Sequence, residues 1–172
     1  MNLFKIFGIK NVDEQKHEKL GTLFAVIEDM MADHSVDKIK LITGWAGLLG
    51  RVAYADMDFD EREIMKIRQI LNDTHNLDEH SAGLVADLFI KKRTDLLSIE
   101  DHLYARMIND VATKNQKIEL LEALYQIAAA DDTIRESEDS TIRTISRDLH
   151  LSHTDFITVR RHLKNKLAVF QS

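Results

Sequence analysis

No proline occurs anywhere in the 172 residues, whereas average usage would place about eight or nine in a chain of this length. Proline is the residue a helix interior tolerates least, because it removes a backbone donor and collides with the preceding turn. A chain without it is free to run helix after helix. The apolar residues recur at spacings of three and four, the helical period. Leu20, Leu23, Phe24, Ile27, Met30 and Met31 form a first stripe, and Leu41, Trp45, Leu48, Leu49 and Val52 a second. Ile64, Ile67, Ile70 and Leu71 follow. Leu84, Leu88 and Phe89 precede Lys91, Lys92 and Arg93, charges that suit a helix C-terminus. A further helix is expected over Leu103 to Val111, then Thr113-x-x-Gln116 opens one as a capping box. Another runs from Ile134 to Leu149, and Ser152-x-x-Asp155 opens the last, with Phe156, Val159, Leu163, Leu167 and Phe170 on one side. No stretch alternates at period two.

Two segments align at an offset of 75 positions, pairing Ala55 with Ala130, Asp56 with Asp131, Glu61 with Glu136 and Glu63 with Glu138. Their apolar residues pair as well, Leu49 with Leu124, Val52 with Ile127, Ile67 with Ile142 and Ile70 with Ile145. Two copies are fewer than a solenoid needs, so a closed bundle is expected. The fold class is therefore all-α: one bundle of about seven or eight helices containing two pseudo-symmetric helix-turn-helix repeats, near residues 41–74 and 116–149. Residues 1–19 read as a separate N-terminal segment holding a short amphipathic helix, and residues 20–172 as the helical domain.

With 44% hydrophobic and 30% charged residues, the chain has the composition of a globular domain rather than a disordered one. The absence of cysteine excludes disulfides, thiolate nucleophiles and cysteine-based metal centres. No cleavable leader or continuous apolar span of about 18 residues is evident, so a cytoplasmic protein is expected. The formal charge of −6 argues against nucleic acid as a partner.

That charge is concentrated. Residues 56–64 and 131–139 each carry five acids and one arginine, a local −4 apiece, which leaves +2 for all other positions. Asp56 and Asp131 are expected to end a helix, where a carboxylate faces the negative end of the macrodipole and needs compensation. One solution is capping of the following helix, whose first turn also favours Asp60, Glu61, Glu136 and Glu138. The other is a hard cation, Ca²⁺ or Mg²⁺, held by Asp56, Asp58, Asp60 and Glu63, with Asp131, Asp132 and Glu138 as a second and poorer set. An EF-hand is excluded, because Glu61 and Ile67 stand where that loop needs Gly and Glu. The acids of both corners are expected to be solvated.

Glu14-x-x-His17 has the spacing of a di-iron half-site but occurs once. His75 and His150 lie in matching D-x-H contexts and are expected at helix ends. Nucleophile elbows, phosphate-binding glycine loops and zincin spacings are absent from the sequence, so no enzyme activity is expected. Arg160, Arg161, Lys164 and Lys166 place four positive charges on the last helix, either as a solvated face or as a contact for acidic proteins or lipid headgroups. Leu3, Phe4, Ile6, Phe7 and Ile9 lie beside Lys5 and Lys10, so residues 2–10 are candidates for lying on a membrane surface or docking on the bundle.

The strings AYADMDFDEREIMKIRQIL and IELLEALYQIAAADDTIRESEDSTIRTISRDLHLSHTDFI resemble the tellurite-resistance TerB family, whose signature is an Ala-Asp-Gly turn followed about seven residues later by Glu. The likeness covers residues 20–166 and is to the stand-alone bacterial branch rather than to the tellurite operon protein. It implies an all-helical cytoplasmic domain acting as an interaction module in stress-response or envelope pathways, with other proteins as partners and the inner membrane face as a workplace. It also implies divalent cations as candidate ligands and no established catalysis. By motif match the functional acids are Asp56 and Glu63, and Asp131 and Glu138. Met57 and Asp132 replace the turn glycine, which departs from a left-handed turn residue there.

Overall fold

The fold is given by a computed structural model that describes residues 12–55, 61–130 and 133–170, with side chains between residues 14 and 163 of these. These residues form nine helices and no strand. They are α1 (Val12–Met30), α2 (Val36–Ala53), α3 (Glu61–His75), α4 (Glu79–Lys91), α5 (Arg93–Leu97), α6 (Asp101–Asn109), α7 (Lys114–Ala128), α8 (Glu136–Asp148) and α9 (His153–Phe170). The chain is all-α, as its periodicity predicts. One helix beyond the expected number comes from a break at Lys92, after which the chain makes the five-residue α5. α1 runs without interruption through residue 20, so the expected N-terminal segment and the bundle share a helix.

Local chemistry fixes the helix starts. Ser35 Oγ accepts the backbone N–H of Lys38 at 3.3 Å, and Asp78 Oδ1 accepts that of Ser81 at 2.9 Å. Thr113 and Gln116 form the expected reciprocal box, and so do Ser152 and Asp155. Each cap satisfies donors that would otherwise be orphaned in the first turn, a contribution of about 1 kcal/mol.

α2 lies at the centre, with α1, α3, α4, α6, α7 and α8 around it. Twelve of its eighteen residues are buried, among them Trp45, Leu48 and Leu49. Its closest neighbour is α6, and glycine makes the approach possible. A Cβ on Gly44 would stand 2.6 Å from Ile108 Cγ1, and one on Gly47 would enter the ring of Tyr104. The helices α2 and α3 pack together, as do α7 and α8, and Trp45 and Leu120 are both fully buried in their first helices.

α4 presents a different stripe from the one expected. Its buried residues are Ala82, Val85, Ala86 and Phe89, whereas Leu84 is 39% exposed and Leu88 half-buried. Small residues face the core here because α2 and α3 both press on this helix.

Candidate functional site

Each of the two helices that follow an acidic corner turns one glutamate inward. Glu63 precedes Ile67 and Ile70 by four and seven positions, and Glu138 stands likewise before Ile142 and Ile145. Helical geometry places both carboxylates on the stripe that faces the core. Glu63 is 5% exposed and Glu138 1%, contrary to the expectation of solvated acids. The sequence signal was present in this spacing, although charge alone pointed outward.

The second corner shows what such a carboxylate does. Glu138 Oε2 accepts the backbone N–H of Arg135 at 2.6 Å, and Oε1 lies 3.9 Å from the guanidinium of the same residue. The glutamate reaches back from the third helical position to satisfy the residue that precedes α8, which is half of a capping box. At the first corner, burial pushes the Tyr54 hydroxyl above its ordinary pKa, opposed by the charge of Arg93 and reinforced by that of Glu63. The first corner thus sets an acid, a phenol and a guanidinium in one electrostatic neighbourhood.

Beside the second corner, Tyr125 donates its hydroxyl to Asp139 Oδ1 at 2.9 Å, and Arg160 Nε donates to the same oxygen at 2.7 Å. This joins α7, α8 and α9. Burial pushes Asp139 upward, but the hydrogen bonds from Arg160 and Tyr125 and the charges of Arg160 and Arg143 outweigh it and hold the carboxyl below its ordinary value. Burial, and then the bond to Asp139, push the Tyr125 hydroxyl strongly up.

The outward acids are Glu61 and Glu136, both exposed at the first positions of their helices. The helices α2 and α7 end at Ala53 and Ala128, three positions ahead of Asp56 and Asp131. Asp56, Asp58, Asp60, Asp131 and Asp132 lie outside the described residues, as does the segment 2–10. Among the described residues, no three Asp, Glu or His side chains gather as metal ligands do. Of the basic set, Arg160 is held by Asp139, Arg161 is exposed, and the side chains of Lys164 and Lys166 lie outside the description.

The two histidines in matching contexts part company. His75 closes α3 and is 9% exposed, with its ring against Trp45. His150 stands in solvent past the end of α8, in the left-handed region at φ 59°. Sequence reasoning also missed Arg51, whose guanidinium donates to the carbonyls of Leu97 (3.0 Å) and Ile99 and pairs with Asp101. Burial raises the pKa of Asp101 in spite of Arg51. These contacts cross 46 to 50 positions of sequence, beyond the reach of any local motif.

One concave surface of about 500 Å³ runs between α1 and the α4–α5 pair. Its apolar lining includes Leu23, Val26, Leu88, Leu96 and Ile99, with Glu18, Lys19, Lys92 and Asp95 among its polar residues. At one end Lys19 bonds Ser98 Oγ at 2.9 Å and lies 3.6 Å from Asp95, while Lys16 pairs with Glu100. No described helix is long and apolar enough to cross a membrane.

The family model described as Tellurite resistance protein TerB matches residues 43–161, from within α2 to within α9, and so includes both acidic corners. No curated protein and no solved structure matches the chain.

Proposed function

The chain belongs to the tellurite-resistance TerB family, and starting there we propose that it is a non-enzymatic interaction module of a bacterial stress-response or envelope pathway. Its place of work is the cytoplasm, at or near the inner membrane face. The observation that carries this reading is the division of the acids: Glu63 and Glu138 are turned into the fold, while Glu61 and Glu136 face solvent at the heads of α3 and α8. An inward glutamate that caps its own helix builds the corner, and the outward one gives the corner its charge. His75, Tyr104 and Tyr125, whose proton affinities are shifted first of all by burial, are packed among the helices, a placement that serves packing rather than turnover. The outward acids suit a basic protein segment, in keeping with electrostatic complementarity at interfaces.

The test is affinity capture with the full chain and with Glu61→Lys/Glu136→Lys. The reading expects a defined protein partner that the native chain retains and the charge-reversed chain loses, with both chains melting alike. A saturable rise in melting temperature with Ca²⁺, together with no charge-dependent partner, would replace it with a cation-sensing role.

A further inference from the structure

The groove between α1 and α4–α5 is half built. Its floor is core, with Leu23, Leu96 and Ile99 buried. Its lips are not: Val26 on α1 is 39% exposed, and Leu84, one turn ahead of the lining residue Leu88 on α4, is 39% exposed as well. Apolar area left in water is area whose burial under a cover would be favourable.

Immediately ahead of α1, residues 3–9 place Leu3, Phe4, Ile6, Phe7 and Ile9 within seven positions. We propose that the groove is the seat of this segment of the same chain, which reverses direction before Val12 and lays its apolar side chains between α1 and α4–α5. The reach is sufficient. The α1 wall from Gln15 to Val26 is about 17 Å long at 1.5 Å per residue, and seven extended residues span at most about 23 to 25 Å. Gly8, between Phe7 and Ile9, supplies a position with wide backbone freedom for the approach. Joined to α1 by only a few residues, the segment meets the groove at an effective concentration in the millimolar range, an advantage no free partner has. A lipid surface would accept the same side chains but leave Val26, Leu84 and Leu88 bare, and a segment of barely two turns is a poor helix in water.

The chain contains no cysteine, so a pair can be introduced cleanly. In the full chain, Phe4→Cys/Val26→Cys, the pair that an antiparallel run along α1 brings level, is compared under mild oxidation with Phe4→Cys/Met65→Cys, Met65 being 69% exposed on α3, a helix that does not line the groove. The seat predicts closure of the first pair within the monomer at least about tenfold faster than the second, from the local concentration of the docked segment. A second measurement compares Phe4→Asp, Val26→Asp and the double variant in the full chain. The double variant should melt no lower than the worse single one, because both break one contact. Equal closure rates, cross-links only between molecules, or additive melting shifts overturn the proposal. So does sedimentation with phosphatidylglycerol vesicles that Phe4→Asp abolishes while the 4–26 pair stays open, which would assign the segment to a membrane.

Discussion

His75 and Trp45 meet edge to face, with ring centroids 4.7 Å apart and planes at 83°. The contact joins the end of α3 to the middle of α2. Burial, and then the nearby charge of Lys38, bring the His75 pKa down from 6.5 to about 4. Because the folded value is depressed, the unfolded chain takes up the proton more readily. Stability is full above about pH 6.5 and falls by about 1.4 kcal/mol per unit as the pH drops toward 4. Urea midpoints at pH 7 and pH 5 should show this loss. His75→Phe, which keeps an aromatic ring against Trp45, should flatten that slope and cost about 1 kcal/mol at pH 7. An unchanged slope would mean that another group titrates.

Two glycines in helices should respond oppositely to alanine. At Gly47 the added methyl would enter the Tyr104 ring, so Gly47→Ala is expected to destabilise by about 1 to 3 kcal/mol. Around Gly21 on α1 nothing lies within 4 Å of the added Cβ, and Gly21→Ala should stabilise by about 0.5 to 1 kcal/mol through helix propensity. Thermal melts of both variants check the pair.

Asp139 receives both Tyr125 and Arg160 on one oxygen. Tyr125→Phe and Arg160→Ala should each cost about 1.5 to 3 kcal/mol, because both bonds end on the ionised carboxylate. The double variant should lose less than the sum, and additivity would show that the two bonds are energetically separate.

If the acidic corners serve capping, Asp131→Asn should cost about 1 kcal/mol or less, since Asn is itself a good cap. Millimolar Ca²⁺ should then leave the melting temperature in place. A cation bound only by the folded chain would add about 2.7 kcal/mol at a hundredfold excess over Kd. A calcium-dependent rise lost in Asp56→Asn but kept in Asp131→Asn would locate a cation at the first corner.

The features legible in the sequence were those set by neighbours three or four positions apart. The Thr113–Gln116 and Ser152–Asp155 caps and the stripes of α1, α3 and α8 all follow from local period. Features decided by what packs on a helix were not legible. Leu84 is as apolar as Val85, yet α2 and α3 claim the small side of α4 and leave Leu84 outside. His75 and His150 share a sequence context but differ in surroundings, because Trp45 covers only the first. Glu63 and Glu138 were visible as a pair, but not as buried groups, since charge argued against the stripe on which they stand.

The central position of α2 also governs how the molecule can come apart. Its partners include α6, α7 and α8, some fifty to a hundred positions later in the chain, and α3 also touches α7. Neither helical hairpin therefore owns a complete interior, and a cut between them would strip both of cover. Melting should be one calorimetric event rather than two, and separate expression of the halves should give unfolded chains. Contacts this distant also slow the search for the native state relative to bundles whose helices meet only their neighbours in sequence.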